Sequence, residues 1–164
     1  MHCIAEAVRP VLARGINHHI QRLMLTGNLA LLAGIRPLAV NDWYWFAYMD
    51  SWDWVVTPNV LGMALYADGG KMASKPYAAS ANYIQRMGHY CTGCRYNPKK
   101  ATGPDACPFN ALYWDFLARN EDQLRGNHRL AMPYRNLDRK RDTDLPGLHR
   151  QAAKTIDQLC AGNL

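Results

Sequence analysis

The sequence has no hydrophobic run long enough to cross a lipid bilayer. Apolar stretches such as residues 29–35 and 43–49 have only seven residues each, whereas a spanning helix needs roughly 20. The N-terminus also lacks the basic segment followed by an apolar stretch that marks a secretory signal. We therefore expect a soluble, cytoplasmic protein without a membrane partner, whose five cysteines are thiols or metal ligands rather than disulfides.

Strand-like alternation, internal repeats and low-complexity tracts are also absent. A composition of 49% hydrophobic and 20% charged residues excludes global disorder. Apolar residues recur instead at three- and four-residue steps, first between Ile16 and Leu31, which predicts a long buried helix and an all-α fold. Further helices are predicted to start at Asn41-Asp42 and Cys107-Pro108, and to cover about 78–90, 128–142 and 148–159. Within residues 52–63, a bend or new helix start is predicted at 57–59.

Positive charge is concentrated in the second half of the chain. Residues 1–82 hold six Lys/Arg and five Asp/Glu, whereas residues 83–164 hold thirteen and eight. The two densest groups are Arg135, Arg139, Lys140 and Arg141, and Arg95, Lys99 and Lys100. This surplus indicates either a polyanionic partner such as nucleic acid or merely a solvated helix face.

Four of the five cysteines have a spacing typical of metal sites. Cys91-x-x-Cys94 is followed after twelve residues by Cys107, and Cys3 can supply a fourth thiolate from a distant helix. The turn in C-x-x-C brings two sulfurs to one metal centre. Zinc and a four-iron four-sulfur cluster both accept four thiolates, so spacing alone leaves both open. Cys160 is left out of the predicted site.

Several longer motifs resemble one family. The cysteine quartet, with residues 18–23 (HHIQRL) after the first cysteine and residues 74–77 (SKPY) before the second, resembles the iron–sulfur bacterial cryptochromes and photolyases, also called prokaryotic 6-4 photolyases. Residues 59–63 (NVLGM), 68–70 (DGG), 91–96 (CTGCRY) and 107–114 (CPFNALYW) extend the likeness from residue 3 to about residue 140. The resemblance therefore covers most of the chain.

The resemblance implies a fold and two cofactors. Residues 1–142 correspond to the C-terminal part of the helical catalytic domain, and residues 143–164 form a helical tail. In the family this domain holds FAD and a four-iron four-sulfur cluster on cysteines that match Cys3, Cys91, Cys94 and Cys107. The N-terminal antenna domain and the early helices of the FAD cradle have no counterpart here, so we expect a C-terminal portion of a longer protein.

The resemblance also implies roles for individual residues. His18 and His19 match the pair that contacts the DNA lesion and assists proton transfer, and histidine suits this task because its unperturbed pKa is about 6.5. Arg22 and Asp50 match a buried pair near the flavin, and Val56 stands where relatives carry an acidic residue. The other expected site residues are Trp54, Asn59 and Met63 for FAD, Trp43 and Tyr44 for an electron relay, and Leu23, Tyr77 and Tyr83 for substrate.

These expectations combine into a light-driven repair enzyme for DNA photolesions, or a related cryptochrome photoreceptor, in which reduced FAD donates an electron. We expect DNA with ultraviolet lesions as the partner and a monomer as the intact protein. One alternative is a non-catalytic iron–sulfur module that binds nucleic acid, like the helical domain of the primase large subunit. Another is a zinc-stabilised helical domain without redox chemistry.

Overall fold

The computed structural model describes residues 1–164 and contains ten α-helices, two π-helical segments, one 3₁₀ turn and no β-strand. The all-α prediction is confirmed. The α-helices are α1 His2–Arg14, α2 His19–Gln21, α3 Asn28–Ala33, α4 Pro37–Ala47, α5 Asp53–Thr57, α6 Ala81–Met87, α7 Pro108–Arg119, α8 Glu121–Leu124, α9 Ala131–Lys140 and α10 Leu145–Cys160. The π segments are π1 Arg22–Gly27 and π2 Pro58–Ala64, and the 3₁₀ turn is His128–Leu130.

The helices divide into two compact units, residues 1–79 and 80–164. The predicted boundary at residue 142 stays a prediction. Residues 145–160 of the expected tail form α10, which packs along α7 within the second unit. None of the helices combines the length and apolar character that a membrane span requires.

In the first unit, α1 ends at Gly15, whose φ of 67° lies in the left-handed region that glycine adopts readily. The Gly15 amide donates to the Val11 carbonyl (2.7 Å), and the Gly15 carbonyl accepts from the Met49 amide (2.9 Å). A Cβ at residue 15 would lie 2.6 Å from Met49 Cγ. This glycine therefore allows the end of α1 to contact the segment after α4.

Two predicted helix features differ in this unit. The long helix expected from residue 16 begins at His19 and is wound as π1 between two α-helical parts, α2 and α3. α4 begins at Pro37 rather than at Asn41-Asp42, because proline is pre-organised for the first helical turn. At residues 57–59, where a bend or new helix start is predicted, α5 ends at Thr57 and π2 begins directly at Pro58.

The second unit is built on α7, which starts at Pro108 as predicted. Phe109, Leu112 and Leu117 of α7 are completely buried, and α10 contributes the buried Leu148 and Ala152. The buried Asn110 side chain accepts from the Ala81 amide (3.1 Å) and donates to the carbonyls of Pro98 and Lys100 (2.8 Å each). These bonds fix the start of α6 and the loop before α7. α6 is shorter than the predicted 78–90.

Candidate functional site

A cavity of about 420 Å³ lies within the first unit, in the usual size range for small-molecule sites. Its walls come from the turn before α2, from π1, from the C-terminal half of α4, from the segment around Asp50 and from α5 and π2. The lining residues are Asn17, His18, His19, Arg22, Leu23, Tyr44, Asp50, Val55, Val56, Asn59, Val60 and Ala64. Apolar walls with a few polar groups are typical of a site that orients an organic ligand.

Two side-chain hydroxyls contact the Arg22 carbonyl of π1 beside this cavity. Tyr44 Oη lies 2.7 Å from the Arg22 carbonyl oxygen, Thr26 Oγ1 lies 3.0 Å from it, and the two hydroxyl oxygens are 2.6 Å apart. The two hydroxyls have two protons for these three oxygen contacts, so two of the contacts are hydrogen bonds at any one time. A π-helical turn uses i→i+5 bonds and often occurs at functional sites.

Arg22 has a fixed side chain at the cavity wall. Its Nη1 and Nη2 donate to Asp50 Oδ1 (2.9 Å) and Oδ2 (3.0 Å), and its Nε donates to Asn17 Oδ1 (3.2 Å). The guanidinium also lies 4.1 Å from the centre of the Tyr48 ring. Hydrogen bonds from Arg22, which outweigh the effect of burial, lower the pKa of Asp50. Asp50 therefore stays ionised well into the acid range.

The expectation of a buried Arg22–Asp50 pair is wrong for Asp50. The Arg22 side chain is 18% exposed, but the Asp50 side chain is 58% exposed. The acid follows the last turn of α4 and reaches Arg22 from the open side of the cavity. A ligand in the cavity would therefore meet a shielded guanidinium and a carboxylate that is still partly hydrated.

His18 and His19 both line the cavity, although they belong to different local structures. His18 precedes α2 as its N-cap: its Nδ1 accepts from the Ile20 amide (3.2 Å), and its own amide donates to Gln21 Oε1 (3.2 Å). Because Nδ1 acts as an acceptor, the neutral His18 ring carries its proton on Nε2. His19 is the first residue of α2 and is exposed.

An aromatic cluster connects the cavity wall to the surface. Tyr44, which lines the cavity, stacks on Tyr48 with ring centres 5.1 Å apart. Trp43 meets both rings edge-on, at 5.1 Å from Tyr44 and 5.9 Å from Tyr48, and is 38% exposed. Burial raises the pKa of both tyrosines, so both rings are neutral phenols at physiological pH. The buried Tyr48 hydroxyl has no hydrogen-bond partner.

Other predicted site residues lie outside this cavity. Leu23 and Asn59 line it, whereas Trp54, Met63 and Tyr77 do not. Trp54 is 77% exposed and Tyr77 lies in the exposed loop before residue 80. Tyr83 belongs to α6 of the second unit and is also exposed. The roles expected for these four residues stay predictions.

The structure does not assemble the predicted metal site. No three His, Cys, Asp or Glu side chains are placed to hold a metal ion. Cys3 is buried in α1 of the first unit, whereas Cys91, Cys94 and Cys107 belong to the second. Burial and the neighbouring Cys94 raise the pKa of the Cys91 thiol. The predicted cluster is therefore not supported by a metal-binding group in the structure.

Ion pairs neutralise part of the predicted basic surface. Lys140 contacts Asp144 (2.8 Å), and Arg141 contacts Glu121 (2.8 Å) and Asp138 (3.5 Å). Lys100 of the smaller group contacts Asp105 (2.7 Å). Arg135 and Arg139 are exposed and have no carboxylate partner. The charge available to a polyanion is therefore smaller than the sequence count indicates.

Comparison with known proteins gives these observations a context. A (6-4) photolyase of Agrobacterium fabrum is 53% identical over 159 residues, which are 97% of this chain and 31% of that protein. Nearly the whole chain is therefore similar to one part of that photolyase. It spans about a third of the length of the photolyase that it matches. No protein-family model matches the chain.

The match to a second relative covers most of that relative's length. The uncharacterized protein R855 of Acanthamoeba polyphaga mimivirus is 30% identical over 118 residues, which are 72% of this chain and 89% of R855. Because the match takes in most of R855, this chain and R855 belong to one family. The name of R855 states no activity.

Sequence reasoning missed some of the residues that shape the cavity. Asn17 holds the Arg22 guanidinium, and Thr26 and Tyr48 contact the Tyr44 ring system. A usable signal for Asn17 is its position just after the helix-ending Gly15. The small Ala64 and the apolar Val55 and Val60 carried no chemical signal in the sequence. Val56 is buried and lines the cavity, so its apolar side chain faces whatever the cavity holds.

Proposed function

We propose that this chain forms part of the catalytic pocket of a light-driven DNA repair protein, with the (6-4) photoproduct as the lesion, or of a related photoreceptor. The observation that carries the proposal is the cavity that joins His18, His19, the Arg22–Asp50 pair and Tyr44. All of these residues lie in the segment that is 53% identical to a (6-4) photolyase. The lesion-bearing nucleotide would leave the duplex to reach such a pocket.

The cavity has the donor set that a flavin ring requires. The ring offers carbonyl oxygens and ring nitrogens at its polar edge and a flat apolar face, and FAD supplies light-driven electron transfer when it is bound. The Asn59 amide, the Arg22 guanidinium and the Asp50 carboxylate line the cavity beside Leu23 and Val56. Of these, Arg22, Asp50 and Asn59 would bind the polar edge, and the apolar side chains would exclude water.

The histidines suit proton movement at the mouth of this pocket. His18 offers its Nε2 proton, because its Nδ1 is held by the start of α2. His19 has no such constraint, so either of its ring nitrogens can donate or accept. Geometry therefore favours His18 as a fixed hydrogen-bond donor and His19 as the residue that exchanges a proton with the lesion.

The aromatic cluster suits the re-reduction of a cofactor in the pocket. Tyr44 lines the cavity, Trp43 contacts the Tyr44 ring directly and is partly exposed, and Tyr48 stacks on Tyr44. Trp and Tyr are the side chains that can be oxidised reversibly in such a chain. We assign Trp43 as the solvent end and Tyr44 as the pocket end of the relay.

The function proposed for the cavity does not require an iron–sulfur cluster. The four cysteines keep the spacing that predicts it, but their placement in the structure gives no metal site. Iron, acid-labile sulfide and zinc assays on anaerobically purified protein decide between a cluster, zinc and free thiols. A brown protein with about four iron atoms per chain, the count of such a cluster, would support the sequence prediction, and a metal-free protein would end it.

The proposed function is tested with an oligonucleotide that carries one (6-4) photoproduct. Reduced FAD and blue light should restore the intact bases with the wild-type chain, and His19→Ala should abolish repair while flavin binding is retained. His128→Ala, an exposed histidine of the second unit, is the matched control and should repair normally. Flavin binding without light-dependent repair would favour the photoreceptor. Failure to bind FAD would overturn the assignment of the cavity.

A further inference from the structure

A second cavity lies entirely within residues 80–164 and contains none of the pocket residues described above. Its volume is about 250 Å³. Four of its lining residues come from one stripe of α10, at positions three and four apart, and face the loop before α7. The lining residues are Arg95, Tyr96, Pro104, Ala106, Pro108, Gln151, Lys154, Thr155 and Gln158.

The charged side chains that line this cavity are all positive. It has two cations, Arg95 and Lys154, and no carboxylate among its lining residues. Gln151 and Gln158 add two neutral amide groups from the same face of α10. The carboxylate that is nearest along the loop, Asp105, is bound to Lys100 at 2.7 Å. The cavity therefore has positive charge without an internal counterion, unlike Lys100, Lys140 and Arg141 elsewhere in this unit.

Arg95 is held in position although its charge is unpaired. Its guanidinium lies 4.6 Å from the centre of the Tyr96 ring, and its Nη2 donates to the Tyr96 hydroxyl and to the Asn163 carbonyl (3.5 Å). Its Nε and Nη1 make no hydrogen bond to the protein. Stacking on an aromatic ring leaves the edge of the guanidinium free, and this planar edge matches two oxygens of a phosphate.

Lys154 supplies the second cation from α10. It is exposed and makes no hydrogen bond or ion pair, while the next residue, Thr155, is 1% exposed and donates from Oγ1 to the Gln151 carbonyl (2.9 Å). The buried Thr155 fixes which face of α10 turns toward the loop. A volume of 250 Å³ accommodates a tetrahedral anion with several waters, because water occupies about 30 Å³ per molecule in the liquid.

We propose that this cavity is a phosphate-binding site. In it, the Arg95 guanidinium donates hydrogen bonds to two phosphate oxygens. The other oxygens contact Lys154 and the side-chain amides of Gln151 and Gln158. The ligand is a phosphate group, carried either by a nucleic-acid backbone or by a small phosphorylated compound. The site differs from the run of basic residues at 135–141, where half of the four charges are paired within the protein.

The first test is titration of the folded chain with inorganic phosphate, followed by the side-chain NMR signals of Arg95, Gln151 and Gln158. Sodium chloride at matched ionic strength is the reference for non-specific screening. Phosphate should shift these signals with saturation and chloride should not. Equal, unsaturable shifts with both salts would overturn the site.

The second test uses substitutions. Lys154→Gln and Arg95→Gln should each weaken phosphate binding about tenfold, which is what loss of one charge-assisted contact amounts to. Lys99→Gln is the matched control, because Lys99 is an exposed, unpaired cation in the same loop and does not line the cavity. Equal affinity in wild type, K154Q and R95Q would contradict the proposal. Lys154 is solvent-exposed, so K154Q remains informative if R95Q destabilises the loop.

A third arm distinguishes the two sources of the phosphate. If the ligand is a nucleic-acid backbone, a lesion-free oligothymidylate should lose affinity in K154Q and the slope of log K against log salt should fall by about one. If the ligand is a small compound, a nucleoside monophosphate should bind in the cavity and the oligonucleotide affinity should not change. Neither result depends on flavin binding or lesion repair, so failure here leaves the proposed function standing.

Discussion

Tyr44 shows at the level of one residue how the candidate pocket is stabilised. Its hydroxyl contacts the Arg22 carbonyl and Thr26 Oγ1, in a region that is closed to water. Tyr44→Phe should therefore lower the free energy of unfolding by about 1 kcal/mol, the usual value of a buried hydrogen bond. Urea denaturation measures this change. Tyr77→Phe, which removes an exposed hydroxyl, is the control and should have no effect; equal stability of both variants would refute the role of the Tyr44 hydroxyl.

Asp50 affects both folding stability and the proposed binding of flavin, because it pairs with Arg22 and lines the cavity. Asp50→Asn keeps the size of the side chain but removes the charge that faces Arg22 and one of the two acceptor oxygens, so the guanidinium keeps its bonds to Asn17 and at most one bond to residue 50. We expect flavin affinity to fall about tenfold, as measured by quenching of flavin fluorescence. The cost in folding should stay below about 1 kcal/mol, because Asp50 is largely exposed.

Asp42→Asn is the matched control for this experiment. Asp42 is an exposed acid of α4 with no ion pair, and it does not line the cavity. The control should bind flavin like wild type. Equal losses of affinity in both variants would mean that overall charge, rather than the Arg22–Asp50 pair, controls binding.

Among the helical elements, π1 depends most clearly on one small residue. A Cβ at residue 27 would lie 2.8 Å from the Arg22 carbonyl oxygen and 3.1 Å from Ala64 Cβ in π2. The φ of Gly27 is −62°, so space rather than backbone conformation requires glycine. Gly27→Ala should cost about 1–3 kcal/mol through overpacking, although alanine favours helices.

Thermal and urea unfolding of Gly27→Ala test this prediction. Gly126→Ala is the control, because a Cβ at residue 126 meets no atom within 4 Å. The control should change stability by less than about 0.5 kcal/mol. A Gly27→Ala variant as stable as wild type would show that π1 and π2 can move apart without loss.

The helical elements also show what sequence patterns can and cannot predict. The start of α7 follows from Pro108, because proline at the first helical position is a local rule. The π geometry of residues 22–27 does not follow, since Gly27 packs closely against Ala64 of π2, which lies far away in the sequence. The pairing of Arg22 with Asp50 was expected only from family resemblance, and the exposure of Asp50 was not.

At the scale of the whole molecule, surface ion pairs make folding sensitive to acid. Arg125 bonds Glu121 (2.6 Å) and Asp138 (2.6 Å), and Arg141 bonds Glu121 (2.8 Å). Hydrogen bonds from Arg141 and Arg125 lower the pKa of Glu121, and those from Arg125 lower the pKa of Asp138. The stabilisation is therefore fully present above the ordinary values of 4.5 and 3.8 and is lost as the pH falls through the lowered values.

Melting temperatures between pH 3 and pH 7 test this network. Wild type should lose stability below about pH 4.5, and Arg125→Gln should show a shallower loss because its carboxylates titrate closer to their ordinary pKa. Lys99→Gln, which removes an unpaired charge, should keep the wild-type pH dependence. Parallel curves for wild type and Arg125→Gln would assign the acid sensitivity to other carboxylates.

The two π segments have a consequence for comparing this chain with its relatives. A turn closed by i→i+5 bonds contains one residue more than the α-helical turn that it replaces. A relative with a one-residue deletion within positions 22–27 would regain regular α-helix there, and every later side chain of that helix would rotate by about 100°. An alignment gap at this place therefore marks a different set of pocket-facing residues rather than a neutral change in length.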